Sequence, residues 1–117
     1  MKFTVKRSEW LHGEGAMKSY LVRQVDYKKC CLGFLGEACG LNPGQMVGVK
    51  APSSDALFEM RPKFPTLLFD DDDARCESIV GQELMETNDS RNLSDSERES
   101  KLTDLFKKIG IEVIFED

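Results

Sequence analysis

The sequence predicts an α+β domain in which a small, mainly antiparallel sheet is packed by about three helices. Three observations carry this expectation. Short alternations of apolar and polar residues near 2–6, 19–23 and 111–116 have the period of half-buried strands. Segments near 30–40, 74–87 and 95–109 repeat apolar residues at helical spacing or carry capping signals. The whole chain is 117 residues with 40% hydrophobic and 32% charged side chains, which suits a single core and a single domain over residues 1–117.

The elements follow in chain order. Met1-Lys2-Phe3-Thr4-Val5-Lys6 alternates, placing Phe3 and Val5 on the inner face of a strand. The same alternation lacks the apolar centre of a signal peptide, so a cytoplasmic protein with reduced thiols is expected. Ser8 can cap a short helix carrying Trp10 and Leu11, stopped by Gly13 and Gly15. Ser19-Tyr20-Leu21-Val22 reads as a second strand. Apolar residues at 31, 34, 35, 38 and 39 make a buried helix over 30–40, closed by Gly40 and ended by Asn42-Pro43. Gln45–Val49 resembles a short strand, and 52–65, with three of the four prolines, reads as irregular. Asp70–Asp73 suits a helix N-terminus, and Cys76, Ile79, Val80 and Leu84 supply the buried side of a helix ended by Asn88-Asp89.

The strongest local signal is Ser94-Asp95-Ser96-Glu97, a capping box in which serine and glutamate each satisfy the other's backbone amide. Beyond it, Leu102, Leu105, Phe106 and Ile109 form one stripe, with Glu99 on the solvated side. Lys107 and Lys108 complement the dipole of the last turn, and Gly110 takes the position after the helix. Ile111, Val113 and Phe115 then point inward from a last strand, expected to pair with the first.

Charge is unevenly spread. Residues 1–69 hold ten Lys and Arg against six Asp and Glu, whereas 70–117 hold six against fifteen. A net charge of −5 argues against non-specific nucleic-acid binding, which requires surplus cations to displace counterions. It suits a protein partner with a basic surface instead. A helix N-terminus uses one or two carboxylates and the run offers four, so Asp70, Asp71, Asp72 and Asp73 are candidate partner-binding residues, with Trp10 as a candidate anchor. Apolar runs are too short for a membrane span.

No residue pattern specifies catalysis, a metal or a cofactor. Cys30 and Cys31 are adjacent, Cys39 and Cys76 stand apart, and zinc sites draw on Cys-x₂₋₄-Cys pairs that let two thiolates converge. Small buried hydrophobes on a core helix explain them better. A cysteine nucleophile would need His12, the one imidazole, as its base. Calcium loops alternate ligands and insert glycine, which the aspartate run does not. The glycines match neither dinucleotide-binding nor phosphate-loop spacing.

Arg7-Ser8-Glu9-Trp10-Leu11-His12-Gly13-Glu14-Gly15 and Lys29-Cys30-Cys31-Leu32-Gly33-Phe34 resemble a family of small phage and prophage proteins. Asn88-Asp89, the run from Ser94 to Glu99, Leu102-Thr103-Asp104-Leu105-Phe106 and Gly110–Phe115 agree with it. The resemblance spans most of the chain outside about residues 45–75. It departs where Asp26-Tyr27-Lys28-Lys29 replaces an Asp-Gly turn before the paired cysteines. The family has no assigned activity, so the resemblance implies only a setting, the bacterial host cytoplasm, and stoichiometric binding to a host factor or defence component. The leading expectation is therefore a non-enzymatic phage protein that binds and inhibits a bacterial host or antiviral-defence protein. A pocket protein sequestering a nucleotide signal, with phosphate contacts from Lys2, Lys6, Arg7, Lys28 and Lys29, is the alternative. A cysteine- or zinc-dependent enzyme is the third.

Overall fold

The computed structural model describes all 117 residues, in a body of 33 × 31 × 25 Å. Strand β1, Lys2–Lys6, lies beside β2, Glu112–Glu116, and these two strands are the whole sheet. They run parallel, with Phe3 opposite Val113 and Val5 opposite Phe115. This corrects the expected three-stranded, mainly antiparallel sheet. Alternation reports which face a strand buries and is silent on its direction; direction is set by how the intervening chain returns, and a long crossover allows parallel pairing. Here helix α4, Asp95–Lys107, ends at the same end of the sheet where β1 begins, and Glu112 N donates to Met1 O at 3.0 Å.

The expected strand at 19–23 is not one. Leu21 N donates to Val49 O and Val22 makes single bridges to Lys29 and Val47. Both side chains are fully buried, so the apolar pattern marks a core crossing point. The chain then turns through 23–28, with Tyr27 in the left-handed region at φ 59°. Asp26 clamps this turn by accepting from the Arg23 guanidinium and the Lys28 amide, which pulls its carboxyl down to about 2. That side-chain clamp fixes the turn with a non-glycine residue in the left-handed position.

Helix α1, Cys31–Ala38, buries every residue from Cys31 to Gly36, so it is a central helix enclosed on most sides. It can sit that deep because Gly33 lies against the Leu21 carbonyl, where any Cβ would collide. Residues 45–49, expected as a strand, begin inside a short helix α2, Pro43–Met46. Asn42 caps it, accepting from Gly44 N while Gln45 Oε1 accepts from Asn42 N, and Pro43 opens the first turn. Residues 55–63 and 66–68 are 3₁₀ turns within the stretch read as irregular.

Helix α3, Ile79–Asp89, starts later than the expected 74–87. Ser78 is its cap, accepting from Gly81 N at 3.0 Å. The aspartate run stays outside the helix because its carboxylates bond local amides: Asp70 Oδ1 accepts from Asp72 N and Asp73 Oδ1 from Arg75 N. Such bonds compete with helical ones. Helix α4 meets its expectation, with both halves of the Ser94–Glu97 capping box formed and Leu102, Leu105 and Phe106 buried. Gly110 follows at φ 75°, and Ile111 N bonds back to Phe106 O. Glu99 departs from its solvated assignment, since it takes Arg7 Nε and Nη2 at 2.9 and 2.7 Å. Phe3 meets Phe106 edge-on, ring centres 5.1 Å apart, where the sheet's inner face rests on α4.

Candidate interaction site

The residues that stand out in the sequence converge on one point. Asn88, near the end of α3, accepts from Trp10 Nε1 at 2.8 Å and from Cys31 N at 3.0 Å. Its amide nitrogen donates to Leu11 O and to Asp89 Oδ1, so all its hydrogen-bonding positions face polar partners. Gly13 N and Gly15 N bond Asn88 O and Asp89 O. Both glycines have positive φ, and a Cβ on Gly13 would stand 2.9 Å from Arg98 Nη2. Arg98, 3% exposed, donates to Ser90 O and Leu93 O. The Trp10–Gly15 segment, the start of α1 and the link between α3 and α4 are thus locked together. Trp10 is 3% exposed and stacked on His12 at 3.8 Å, which removes it from the candidate partner-binding residues.

The other candidates for chemistry are also committed. Burial pushes the Cys30 thiol up to about 12 and the Cys31 thiol well above its ordinary value, so neither supplies thiolate near neutrality. The His12 ring nitrogens face Trp10 O at 2.9 Å and Asp95 Oδ1 at 3.2 Å. No three of the His, Cys, Asp and Glu side chains are grouped to hold a metal ion. Of the cations of the nucleotide alternative, Arg7 pairs with Glu99 and Asp117 and Lys29 is buried against Glu37, while Lys2, Lys6 and Lys28 line none of the larger hollows.

The aspartate run lies in a loop closed by a bridge between Phe69 and Glu77, with Asp70 N bonded to Cys76 O and Ser78 N to Leu68 O. Asp73 is paired with Arg75 at 3.0 Å, and that contact holds its carboxyl below the usual range. Asp70, Asp71 and Asp72 have no ion-pair partner and border a groove of about 450 Å³. Its floor is apolar: Leu67, Phe69, Ile79, Val80 and Ile109, with Lys108 at the margin. Leu67 is 54% exposed and Ile79 76%. On its other side the loop borders a second hollow of about 320 Å³ that reaches Arg61, Phe64 and Thr66.

Sequence reading placed the aspartates in the site and missed its apolar half. Ile79 was expected on the buried side of a helix beginning near 74. Starting the helix at Ile79 instead exposes it and Cys76, while Leu84 stays buried. Ser78, a good cap directly before Ile79-Val80, was the available signal. A further hollow of about 490 Å³ lies beside the end of α3, lined by Gly15, Met85, Glu86, Asp89 and Arg91. Arg91 is occupied there by Glu14 O.

Comparison of this chain with family models, with curated proteins and with solved structures finds no match. No helix is long and apolar enough to cross a membrane.

Proposed function

We propose that this chain is a non-enzymatic phage-type protein that binds and inhibits a bacterial host or antiviral-defence protein in the host cytoplasm. The observation that carries the reading is the exposure of Leu67 and Ile79 beside three carboxylates that have no ion-pair partner in the chain. Large exposed aliphatic side chains grouped with a charged rim favour a protein partner, because burying them on association removes apolar area from water. The carboxylates contribute chiefly to encounter rate and to selection of a basic surface. The motif resemblance supports the phage setting, and the burial of Cys30 and Cys31 together with the pairing of His12 to Trp10 O and Asp95 supports action by binding.

Capture from bacterial lysate tests this. Wild type is compared with a chain carrying Asp70→Asn, Asp71→Asn and Asp72→Asn, and each protein retained only by wild type is assayed with added chain. Inhibition that saturates at a fixed molar ratio is the expected result. Identical capture by both chains, or loss of target activity at far below one chain per target, overturns the reading.

A further inference from the structure

The groove beside Ile79 and the hollow beside Arg61 share Phe69, Asp70 and Asp71, so they meet along one line with different ends. One end is aliphatic, formed by Leu67, Ile79, Val80 and Ile109. The middle is acidic. The far end holds Arg61, whose side chain is only 8% exposed. Its Nη2 donates to Ser53 O at 2.6 Å and approaches Asp55 at 3.6 Å, and its guanidinium lies over the Phe58 ring. Nε has no acceptor, and Nη1 makes no hydrogen bond within the protein. A buried guanidinium with donors to spare favours an added acceptor.

Building on the binding function above, we propose that the two hollows are one trough for an extended segment of the partner that carries Lys or Arg next to an aliphatic residue. The aliphatic side chain covers Leu67 and Ile79, the cation sits among Asp70–Asp72, and a backbone carbonyl of the segment accepts from Arg61 Nη1, since Nε is buried. Charge selects this occupant. An acceptor brought by a phosphate, nucleic acid or anionic lipid would carry its negative charge against Asp70 and Asp71, whereas a peptide carbonyl is neutral and its chain can carry the compensating cation. A second copy of a chain with net charge −5 is disfavoured for the same reason.

Three blocked octapeptides serve as probes, alternating Lys with Leu, Lys with Ser, and Glu with Leu. They are titrated into the isotopically labelled full chain while backbone amides and arginine side-chain signals are followed by NMR. The Lys/Leu peptide is expected to shift amides in 61–80 together with the Arg61 guanidinium signal, and to bind more tightly than the other two. Ile79→Ser should weaken it roughly tenfold to a hundredfold, the loss expected for one buried aliphatic side chain. Asp70→Asn with Asp71→Asn should weaken it about tenfold and flatten its salt dependence, with thermal melts like wild type. Equal binding of the Lys/Ser peptide, shifts centred on Glu86 and Asp89, or indifference to Ile79→Ser would overturn the proposal. So would a dimer of the chain alone that Ile79→Ser abolishes in sedimentation, since that assigns the trough to a second copy. If the peptides fail while a lysate partner still requires Asp70–Asp72, the trough falls and the binding function stands; a partner indifferent to every variant removes both.

Discussion

The lock around Asn88 and the trough around Asp70 use polar residues in opposite ways. In the lock, Trp10, Cys31, Leu11 and Asn88 form a closed set of buried hydrogen bonds, and the glycines bring the backbone against Arg98 and Arg91. In the trough, three carboxylates without an ion-pair partner and two aliphatic side chains remain exposed to water. The Trp10–Gly15 and Cys30-Cys31 motifs are consumed by folding, and of the features singled out in the sequence the aspartate run is left exposed.

Substitutions can break or sharpen that contrast. The largest effect belongs to Phe106→Ala at the junction of sheet and α4, expected to lower stability by about 3–5 kcal/mol in a denaturant titration. Asn88→Ala should follow at about 3 kcal/mol, because Trp10 Nε1, Cys31 N and Leu11 O all lose a buried partner. A loss under 1 kcal/mol there would mean that water can replace the amide and that the lock is no lock. In the trough, the combined Asp70→Asn, Asp71→Asn and Asp72→Asn chain should stay within about 0.5 kcal/mol of wild type, since asparagine keeps an acceptor for the Asp72 amide. Ile79→Ser should do the same. A large loss in either would make the trough a part of the fold's stability.

The smallest expected effect is a pH dependence at the α4 cap. Hydrogen bonding from Ser94 holds the Glu97 carboxyl below its ordinary 4.5 in the folded chain. A depressed folded value means stability that is complete above pH 4.5 and lost as acid protonates the group. Thermal melts of wild type and Glu97→Gln should therefore differ slightly at neutral pH and converge on acidification through that range. A constant gap would show that the carboxylate's charge contributes nothing to the cap.

Legibility followed the range of the forces involved. The α4 cap, its stripe and the Gly110 stop were readable because every partner lies within a few residues. The inward faces of β1 and β2 were readable for the same reason, and their expected pairing is present. Strand direction was not, because it depends on the path of more than a hundred intervening residues. Leu21 and Val22 have strand composition but meet two separate segments, at Lys29 and at 47–49, through single bridges, so burial alone explains their type. In the site, the negative charge of Asp70–Asp72 was plain from the sequence. The exposure of Ile79 turned on a competition between Ser78 and the aspartates for the helix start, which tertiary contacts decided: Ser78 Oγ also donates to Leu67 O at 2.7 Å. Trp10 was ambiguous because its indole N–H suits a surface anchor or a buried bond equally, and the buried acceptor comes from Asn88, distant in sequence.

The parallel pairing of residues 2–6 with 112–116 also constrains how the chain comes to be folded. Synthesis delivers β1 first, and its only strand partner emerges after the rest of the domain has been made. At about 5–20 residues per second, that interval lasts roughly 5–20 s. Throughout it, Phe3 and Val5 are available to any neighbouring strand, with Lys2 and Lys6 as the flanking charges that discourage such pairing. Closure of the sheet is therefore a late event in the life of each molecule, and the domain's earlier strand waits on its later one to be secured.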